Sequence, residues 1–248
     1  MQVNVYKTDK ITSKSHDLFE LLDSVLPPLT EGSVVAVAAK IVSLCEGRVV
    51  PIDAADKDDL IAQESQRYLP RTSSKYDVSF TVTHNMLIPT AGIDESNAND
   101  NYILWPKDIQ GSANAIRRHL VQKHGLQNLG VIITDSTTKP FQWGTTGIAI
   151  AYSGFSPLKD YIGKEDVFGR KLIFQKSNIA NGLAASAVTL MGEGSEQTPI
   201  CVIKDLPFVE FRKDDPTPEE LAELIIPLED DLYEPFLTAV EWQKGKRE

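Results

Sequence analysis

Three carboxylates occur where solvation alone is a weak explanation for an acidic residue. Asp94 lies in AGIDESNAND, Asp135 directly follows an apolar stretch, and Glu193 sits between two glycines in MGEGSEQ. Carboxylate oxygens are the ligands that Mg²⁺ prefers, usually together with substrate phosphates, and Ser136 adds a hydroxyl beside Asp135. The pattern predicts a divalent-cation site. The equally supported alternative is that Asp94 and Asp135 only cap turns.

Residues 191–198 (MGEGSEQT) form a second candidate site. Two glycines beside an acid permit positive φ, which lets consecutive N–H groups converge on an anion such as a phosphate. The chain has no GxxxxGK[ST] phosphate loop and no strand followed by GxGxxG. The competing interpretation is a glycine cap at the end of a helix.

The histidines and cysteines give weaker signals. His119 and His124 are five residues apart on a predicted helix and therefore face different directions, which argues against a shared metal. His84 ends a predicted strand and is interpreted equally as a cleft residue or a structural one. Cys45 and Cys201 lie in or beside apolar strands and are predicted to be buried thiols. The tryptophans, including Trp105, are interpreted as packing residues.

The predicted strands that must position these side chains are short and apolar. Residues 33–44 (SVVAVAAKIVSL) form a continuous apolar run that predicts a strand buried on both faces. Residues 129–134 (LGVIIT) predict a strand that runs straight into Asp135. In residues 78–83, alternation predicts a strand with its apolar side buried. Further strands are predicted at 3–6, 147–152 and 199–203.

The helical patterns are interspersed with these strands. Helices are predicted at 17–25, at 58–69 ending against Pro70, from a Ser112 cap to Gly125, and at 178–191. A capping box at 217–220 opens an acidic helix. Because strands and helices alternate without a regular βαβ rhythm, the fold class is predicted as α+β.

Composition and charge exclude several functional classes. The chain has 248 residues and a formal net charge of −10, and residues 205–248 hold 13 acidic and 5 basic side chains. An acidic chain without a basic stripe is a poor ligand for nucleic acid. The apolar run at 34–39 is far shorter than the ~20 residues of a membrane span, so no membrane partner is expected. Two cysteines and the absence of a signal-peptide pattern predict a cytoplasmic protein.

Four segments together are similar to those of one enzyme family, the coenzyme F420-0:γ-glutamyl ligases. They cover most of residues 33–204 and read, in order, KIVSLCEGRVV, AGIDESNANDNYILWPKDIQGSANAIRRHL, GVIITDSTTKPFQWGTTGIAIAYSGFSPLKDYIGKEDVFGR and MGEGSEQTPICVI. Residues 206–248 resemble no segment of that family.

The resemblance implies a GTP- and metal-dependent ligase that joins the carboxylate of a deazaflavin cofactor to L-glutamate through an acyl phosphate. It implies Mg²⁺ or Mn²⁺ at a two-metal site, GTP as co-substrate, and K⁺ as a further candidate cation. It also implies an α+β fold with two lobes of mixed sheets and an intertwined homodimer. We expect residues 1–205 to form the catalytic body, with two sub-lobes, and residues 206–248 to form an acidic helical extension.

The resemblance also assigns roles to individual residues. Asp94 and Asp135 match metal ligands, Ser136 matches a residue touching the second metal, and Glu193 matches a ligand of that metal, so the three acids are the predicted catalytic residues. The predicted nucleotide contacts are Lys40, Asn97, Met191, Gly192, Gly194, Ser195, Glu196, Gln197 and Thr198.

Several positions depart from the family pattern. Ala39 and Leu44 stand where the family has serine and lysine, and Lys139 and Gln142 replace arginines. The N-terminal nucleotide strand of the family is not recognisable at residues 9–13. The acceptor (deazaflavin or folate), the nucleotide (GTP or ATP) and the number of glutamates added therefore remain open. The alternatives are a folate-type polyglutamylating ligase and a catalytically silent nucleotide-binding dimer.

The acidic C-terminal segment has its own pattern. Leu221, Leu224, Ile225 and Leu228 form an apolar stripe, and further apolar residues follow it. Such a stripe predicts that the segment folds back onto the body or across a dimer. The alternative is an acidic arm that awaits a basic partner.

Overall fold

The computed structural model describes residues 1–12 and 16–247, so Ser13, which ends the segment where the family's nucleotide strand was sought, lies outside the described residues. Its strands are β1 (Gln2–Tyr6), β2 (Ser33–Ala38), β3 (Val49–Pro51), β4 (Arg67–Leu69), β5 (Phe80–Thr83), β6 (Met86–Pro89), β7 (Asn101–Ile103), β8 (Leu129–Thr138), β9 (Thr145–Ser153), β10 (Leu158–Asp160), β11 (Lys176–Asn178), β12 (Ile200–Lys204) and β13 (Gln243–Lys244).

The α-helices lie between these strands and beyond β12. They are α1 (Leu18–Val25), α2 (Ala39–Glu46), α3 (Lys57–Glu64), α4 (Ile109–His124), α5 (Ile179–Met191), α6 (Pro218–Ala222) and α7 (Glu234–Leu237). Side chains cap several of them, as Asp17 does for α1 and Asn178 for α5. Within the described residues, none of the helices combines the length and the apolarity needed to cross a membrane.

A five-stranded mixed sheet forms the centre of the fold. Its strand order is β1-β12-β2-β8-β9, and only the central pair, β2 with β8, is parallel. In that pair Ser33 lies opposite Leu129 and Ala38 lies opposite Thr134, so both strands run toward the same edge of the sheet. The end of β2 and the distal half of β8 are therefore neighbours.

Helices cover both faces of this sheet. On one face, side chains of α1 and α4 such as Leu22 and Ile116 pack against Val35, Val37 and Ile133. On the other, α5 packs against the alternate residues of β2, β8 and β12. Because both faces of β2 are buried, its sequence is apolar without alternation. The mixed α+β class is confirmed.

Smaller sheets flank the central one. A four-stranded sheet has the order β13-β4-β5-β6, and two-stranded sheets pair β3 with β7 and β10 with β11. A separate apolar cluster, which includes Leu60, Ile61 and Leu104, lies between α3 and β7. The chain around Asp94 belongs to this region, since Asp94 pairs with Ile103 in an isolated bridge.

Four sequence-based predictions were wrong at element boundaries. The apolar run at 33–44 is a strand only to Ala38, because the chain then turns into α2, which Gly47 ends in a left-handed conformation; Cys45 thus lies in a helix. Residues 58–69 hold α3 followed by β4. Asp108, and not Ser112, caps α4, and β8 continues beyond Asp135 to Thr138.

The strand predicted at 78–83 is present as β5, but its buried face is the polar one. Thr81 is fully buried, whereas Phe80 is 39% exposed. The Thr81 hydroxyl donates to the carbonyl of Ile88 and accepts from the amide of Ala91, so its polar atom is satisfied inside the protein. Hydrogen bonding therefore compensates the burial that hydropathy alone disfavours.

Residues 206–247 fold back onto the body as predicted, but only part of the apolar stripe packs there, since Leu224 and Ile225 are exposed. Phe211 and Leu221 pack against the α5 side of the sheet, and β13 adds a strand to β4. Other apolar side chains of this segment, including Leu232 and Phe236, remain exposed. The capping box of Thr217 and Glu220 is confirmed at the start of α6. The boundary between residues 205 and 206 stays a prediction.

Candidate active site

A cavity of about 400 Å³ opens at the edge of the central sheet where β2 and β8 end. It is bounded by the start of α2, the Asp94 loop, β8 and the loop after α5. The predicted site residues that line it are Lys40, Asp94, Asn97, Asp135, Ser136, Met191, Gly192, Glu193, Gly194, Ser195, Glu196, Gln197 and Thr198. Residues predicted from separate segments of the chain thus meet at one place.

Asp135 occupies a largely enclosed position in β8. The pairing of β8 with β9 shifts register between Ile133 and Thr134, just before Asp135. One carboxylate oxygen accepts the indole N–H of Trp105 at 2.6 Å, and the other accepts the amide of Ser136 at 2.8 Å. Burial nevertheless raises the pKa of Asp135 to about 6, and the charge of Asp94 adds to the rise. At neutral pH the Asp135 carboxyl is therefore mostly ionised, and a bound cation would ionise the remaining fraction.

The environment of Asp94 lowers the pKa of its carboxyl group, in contrast to that of Asp135. Its carboxylate forms an ion pair with the Lys40 ammonium at 2.7 Å and accepts the amide of Ser96 at 2.6 Å. Burial alone would raise the pKa of Asp94, but the hydrogen bonds and charge of Lys40, together with Ser96, hold it below its usual range. Asp94 thus caps a local turn, as the alternative interpretation held, whereas Asp135 lies within β8 and caps no turn. Both acids line the cavity.

Glu193 is held by hydroxyl groups on the two strands opposite it. Ser136 Oγ donates to one carboxylate oxygen at 3.3 Å, and Thr145 Oγ1 donates to the other at 3.1 Å. These bonds connect the loop after α5 to the β8–β9 hairpin. Glu193 and Ser136 therefore share one side of the cavity.

The loop at 191–198 is closed by its own hydrogen bonds. Gly192 ends α5 with φ of +81°, and Thr198 Oγ1 donates to the carbonyl of Met191 at 2.6 Å. The amide of Gly194 donates to the carboxylate of Glu196, so a loop N–H already binds an anionic group. Asn97 Nδ2 donates to the carbonyl of Gly194 at 3.0 Å and joins this loop to the Asp94 loop.

The oxygen ligands offered by the three acids and Ser136 are of the type that binds a hard divalent cation. Their carboxylates do not, however, converge on a single position in this structure. Within residues 1–12 and 16–247, no three His, Cys, Asp or Glu side chains are arranged to hold one ion. Ser136 connects two of the acids, since its amide donates to Asp135 and its hydroxyl donates to Glu193. All four offer oxygen atoms alone, which suits Mg²⁺ or Mn²⁺ and not a thiolate-seeking metal.

Sequence reasoning missed two contributors to the site. Trp105, interpreted as packing, donates directly to Asp135, and no sequence signal indicates which carboxylate an indole reaches. Thr8, Asp9 and Lys10 line the cavity although the N-terminal nucleotide strand was not recognisable, because Thr8 N bonds to the carbonyl of Gln197. His84, the candidate cleft residue, is absent from the cavity lining, and its ring lies beside Trp105.

Comparison with known proteins identifies the family to which this chain belongs. The profile of the F420-0:Gamma-glutamyl ligase family matches residues 7–205, which contain every predicted site residue. The chain belongs to the F420-0:Gamma-glutamyl ligase family. The match ends where the acidic C-terminal segment begins.

Several relatives within this F420-0:Gamma-glutamyl ligase family are named enzymes. The Coenzyme F420:L-glutamate ligase of Methanothermobacter thermautotrophicus is 33% identical over 204 residues, covering 75% of this chain and 80% of the relative. The ligases of the same name from Methanocaldococcus jannaschii and Archaeoglobus fulgidus are each 30% identical and cover 83% of this chain, with 86% and 89% of their own lengths matched.

Proposed function

We propose that this protein is a nucleotide- and divalent-metal-dependent ligase that adds L-glutamate to the carboxylate of coenzyme F420-0, with GTP as the phosphoryl donor. The observation that carries the proposal is the convergence of Asp94, Asp135, Glu193 and the 191–198 loop on one cavity in a member of this family. Enzymes of this name are among its relatives.

The reaction needs an activated carboxylate, because a carboxylate is a poor acyl donor to an amine in water. In the proposed sequence a carboxylate oxygen of the acceptor attacks the γ-phosphorus of GTP, the bond from that phosphorus to the bridging oxygen breaks, and GDP leaves. The resulting acyl phosphate is attacked at its carbonyl carbon by the glutamate amine, which loses a proton as inorganic phosphate departs. Catalysis of such a step is mainly positioning and neutralisation of charge.

The cavity residues are suited to this task. Asp94, Asp135, Ser136 and Glu193 would hold Mg²⁺ or Mn²⁺, which when bound neutralises charge on the phosphoryl oxygens. Lys10 and Lys40 both line the cavity, and the Lys40 ammonium, now paired with Asp94, can transfer to a phosphate. The loop amides around Gly194 would exchange the Glu196 carboxylate for a phosphate oxygen.

We also propose that the chain forms a homodimer. The segment between β10 and β11 and the turn between β8 and β9 expose large apolar side chains: Phe141, Trp143, Val167, Phe168, Ile173 and Phe174. Apolar patches of this kind are typical of protein interfaces. Sedimentation of Phe168→Asp against the unchanged protein tests this point, since a dimer through this surface would dissociate.

The function is tested by incubation with radiolabelled glutamate, Mn²⁺ and either GTP or ATP, offering F420-0 and a folate side by side. We expect label in F420-0 with GTP, loss of incorporation in Asp135→Asn, and full incorporation in the matched surface variant Asp53→Asn. Label only in folate would favour a folate-type ligase. Label in neither acceptor, from folded protein that binds GTP, would favour the catalytically silent dimer.

A further inference from the structure

We propose that Trp105 is a positioning residue that fixes the carboxylate of Asp135 for cation binding. The inference rests on the proposed function, since it assigns a role to a residue behind the candidate metal ligand. Trp105 lies between β7 and α4 in the chain, and it is absent from the cavity lining.

The contact between the two residues defines the direction of the carboxylate. Trp105 Nε1 donates to Asp135 Oδ2 at 2.6 Å while the Ser136 amide donates to Oδ1 at 2.8 Å. Each oxygen has two lone pairs, so one donor on each leaves both oxygens able to accept a second partner. Two donors on different oxygens also oppose rotation of the carboxylate. The result is a pre-oriented ligand with free acceptor capacity.

The indole is itself rigidly placed. Its residue is 4% exposed, and a Cβ at Gly92 would overlap its ring, so a residue without a side chain is needed there. The ring of His84 lies 6.0 Å away, and the Trp105 carbonyl accepts from Arg48 Nε at 3.0 Å. Because the indole is fixed in place, its N–H also fixes the position of the Asp135 carboxylate that accepts from it.

A packing role alone does not require this hydrogen bond. Trp242 shows the ordinary arrangement, in which Nε1 donates to a nearby backbone carbonyl, that of Leu237, at 2.7 Å. Trp105 instead uses its N–H on a side chain that faces the candidate site. Trp242 offers the matched control, because phenylalanine there removes an indole N–H that bonds to a backbone carbonyl, and the residue does not line the cavity.

Mn²⁺ binding measured by electron paramagnetic resonance tests the proposal in the full-length protein. We expect Trp105→Phe, which keeps an aromatic ring and removes the N–H, to weaken Mn²⁺ affinity about 10- to 100-fold, the range typical of residues behind a metal ligand. Trp242→Phe should bind Mn²⁺ as the unchanged protein does. Equal affinity in folded Trp105→Phe would overturn the inference while leaving the proposed function intact.

A second measurement needs no variant and therefore does not depend on how Trp105→Phe folds. In ¹⁵N spectra of the unchanged protein, the Trp105 indole N–H resonance should shift when Mg²⁺ is added, because its acceptor becomes a metal ligand. The Trp242 resonance should stay in place. A site that binds Mg²⁺ without moving the Trp105 signal would overturn the inference, whereas failure to bind Mg²⁺ or Mn²⁺ at all would contradict the proposed function as well.

Discussion

At the scale of single residues, two neighbouring carboxyl groups have pKa values driven in opposite directions. Lys40 and Ser96 outweigh burial at Asp94 and hold its pKa low, whereas burial dominates at Asp135 and raises its pKa to about 6. Pairs of acids separated in this way are typical of sites that bind cations or transfer protons. The acidic residue types were predictable from sequence, but the opposite shifts depend on the Lys40 ion pair at Asp94 and on burial at Asp135, which other segments of the chain supply.

The raised pKa of Asp135 predicts a component of stability that decreases with pH. The unfolded carboxyl ionises near pH 4 and the folded one near pH 6, so the folded state binds more protons between these values. Asp135 therefore stabilises the metal-free fold at low pH, and this contribution is lost as pH rises through 6. Relative to Asp135→Asn, the free energy of unfolding in urea should fall by about 1 kcal/mol from pH 5 to 7. A rise over that interval would contradict the assignment.

The lowered pKa of His84 predicts a contribution to stability that decreases as the pH falls. Burial, with the charge of Arg247, lowers the pKa of His84 to about 4, and its buried Nε2 has no hydrogen-bond partner in the described structure. The unfolded histidine takes up a proton near pH 6.5, so the stability it confers is complete above that pH and is lost as pH falls toward 4. Relative to His84→Asn, which suits the left-handed backbone there, the protein should lose about 2 kcal/mol from pH 7 to 5. Equal pH profiles would refute this role.

At the scale of elements, the errors in the sequence-based prediction share a physical cause. A continuous apolar run carries no period, so residues 33–44 could not reveal that the strand becomes a helix at Ala39. The inverted faces of β5 arise because the Thr81 hydroxyl finds partners inside the protein, which hydropathy does not report. The strand at 147–152 and the helix at 178–191 were predicted well, because their patterns match their burial.

The contact between α5 and β9 gives a prediction for two glycines. A Cβ at Gly147 would lie 2.5 Å from the Ala184 carbonyl oxygen, whereas a Cβ at Gly182, on the exposed side of α5, would meet nothing within 4 Å. Gly147→Ala should lower the free energy of unfolding by about 1–3 kcal/mol through overpacking. Gly182→Ala should raise it by about 0.5–1 kcal/mol, because alanine favours a helix interior.

Urea unfolding of both glycine variants checks these expectations against the unchanged protein. Destabilisation by Gly182→Ala, or a neutral effect of Gly147→Ala, would show that α5 does not seat on β9 as described.

At the scale of the whole molecule, the C-terminal segment is fastened by ion pairs as well as by apolar contacts. Arg117 is buried in α4 and donates to Asp215 at 2.9 Å. Near the chain end, Arg247 donates to Glu64, which also pairs with Arg48. The apolar stripe predicted from sequence indicated that the segment would pack, but the partners of Arg117 and Arg247 lie 98 and 183 residues away and were not predictable.

Substitution of two adjacent aspartates tests how the C-terminal segment is attached to the rest of the protein. Asp215→Asn removes the charge that faces buried Arg117 and should lower the free energy of unfolding by about 1–3 kcal/mol. Asp214→Asn changes an exposed neighbour and should stay within about 0.5 kcal/mol of the unchanged protein. Truncation after Asp205 should lower the melting temperature further and leave any folded fraction able to bind nucleotide. Equal stability of the truncated chain would favour the acidic-arm interpretation.

The central claim, that this cavity binds a divalent cation and a nucleoside triphosphate, is tested most directly by thermal melting with Mn²⁺ and then GTP. Binding to the folded state alone stabilises it by about 2.7 kcal/mol at 100 times Kd. The melting temperature should rise by several degrees with Mn²⁺ and rise further with GTP, while Asp135→Asn should show neither rise and Asp53→Asn should show both. A melting temperature indifferent to Mn²⁺ and GTP in the unchanged protein would contradict the account.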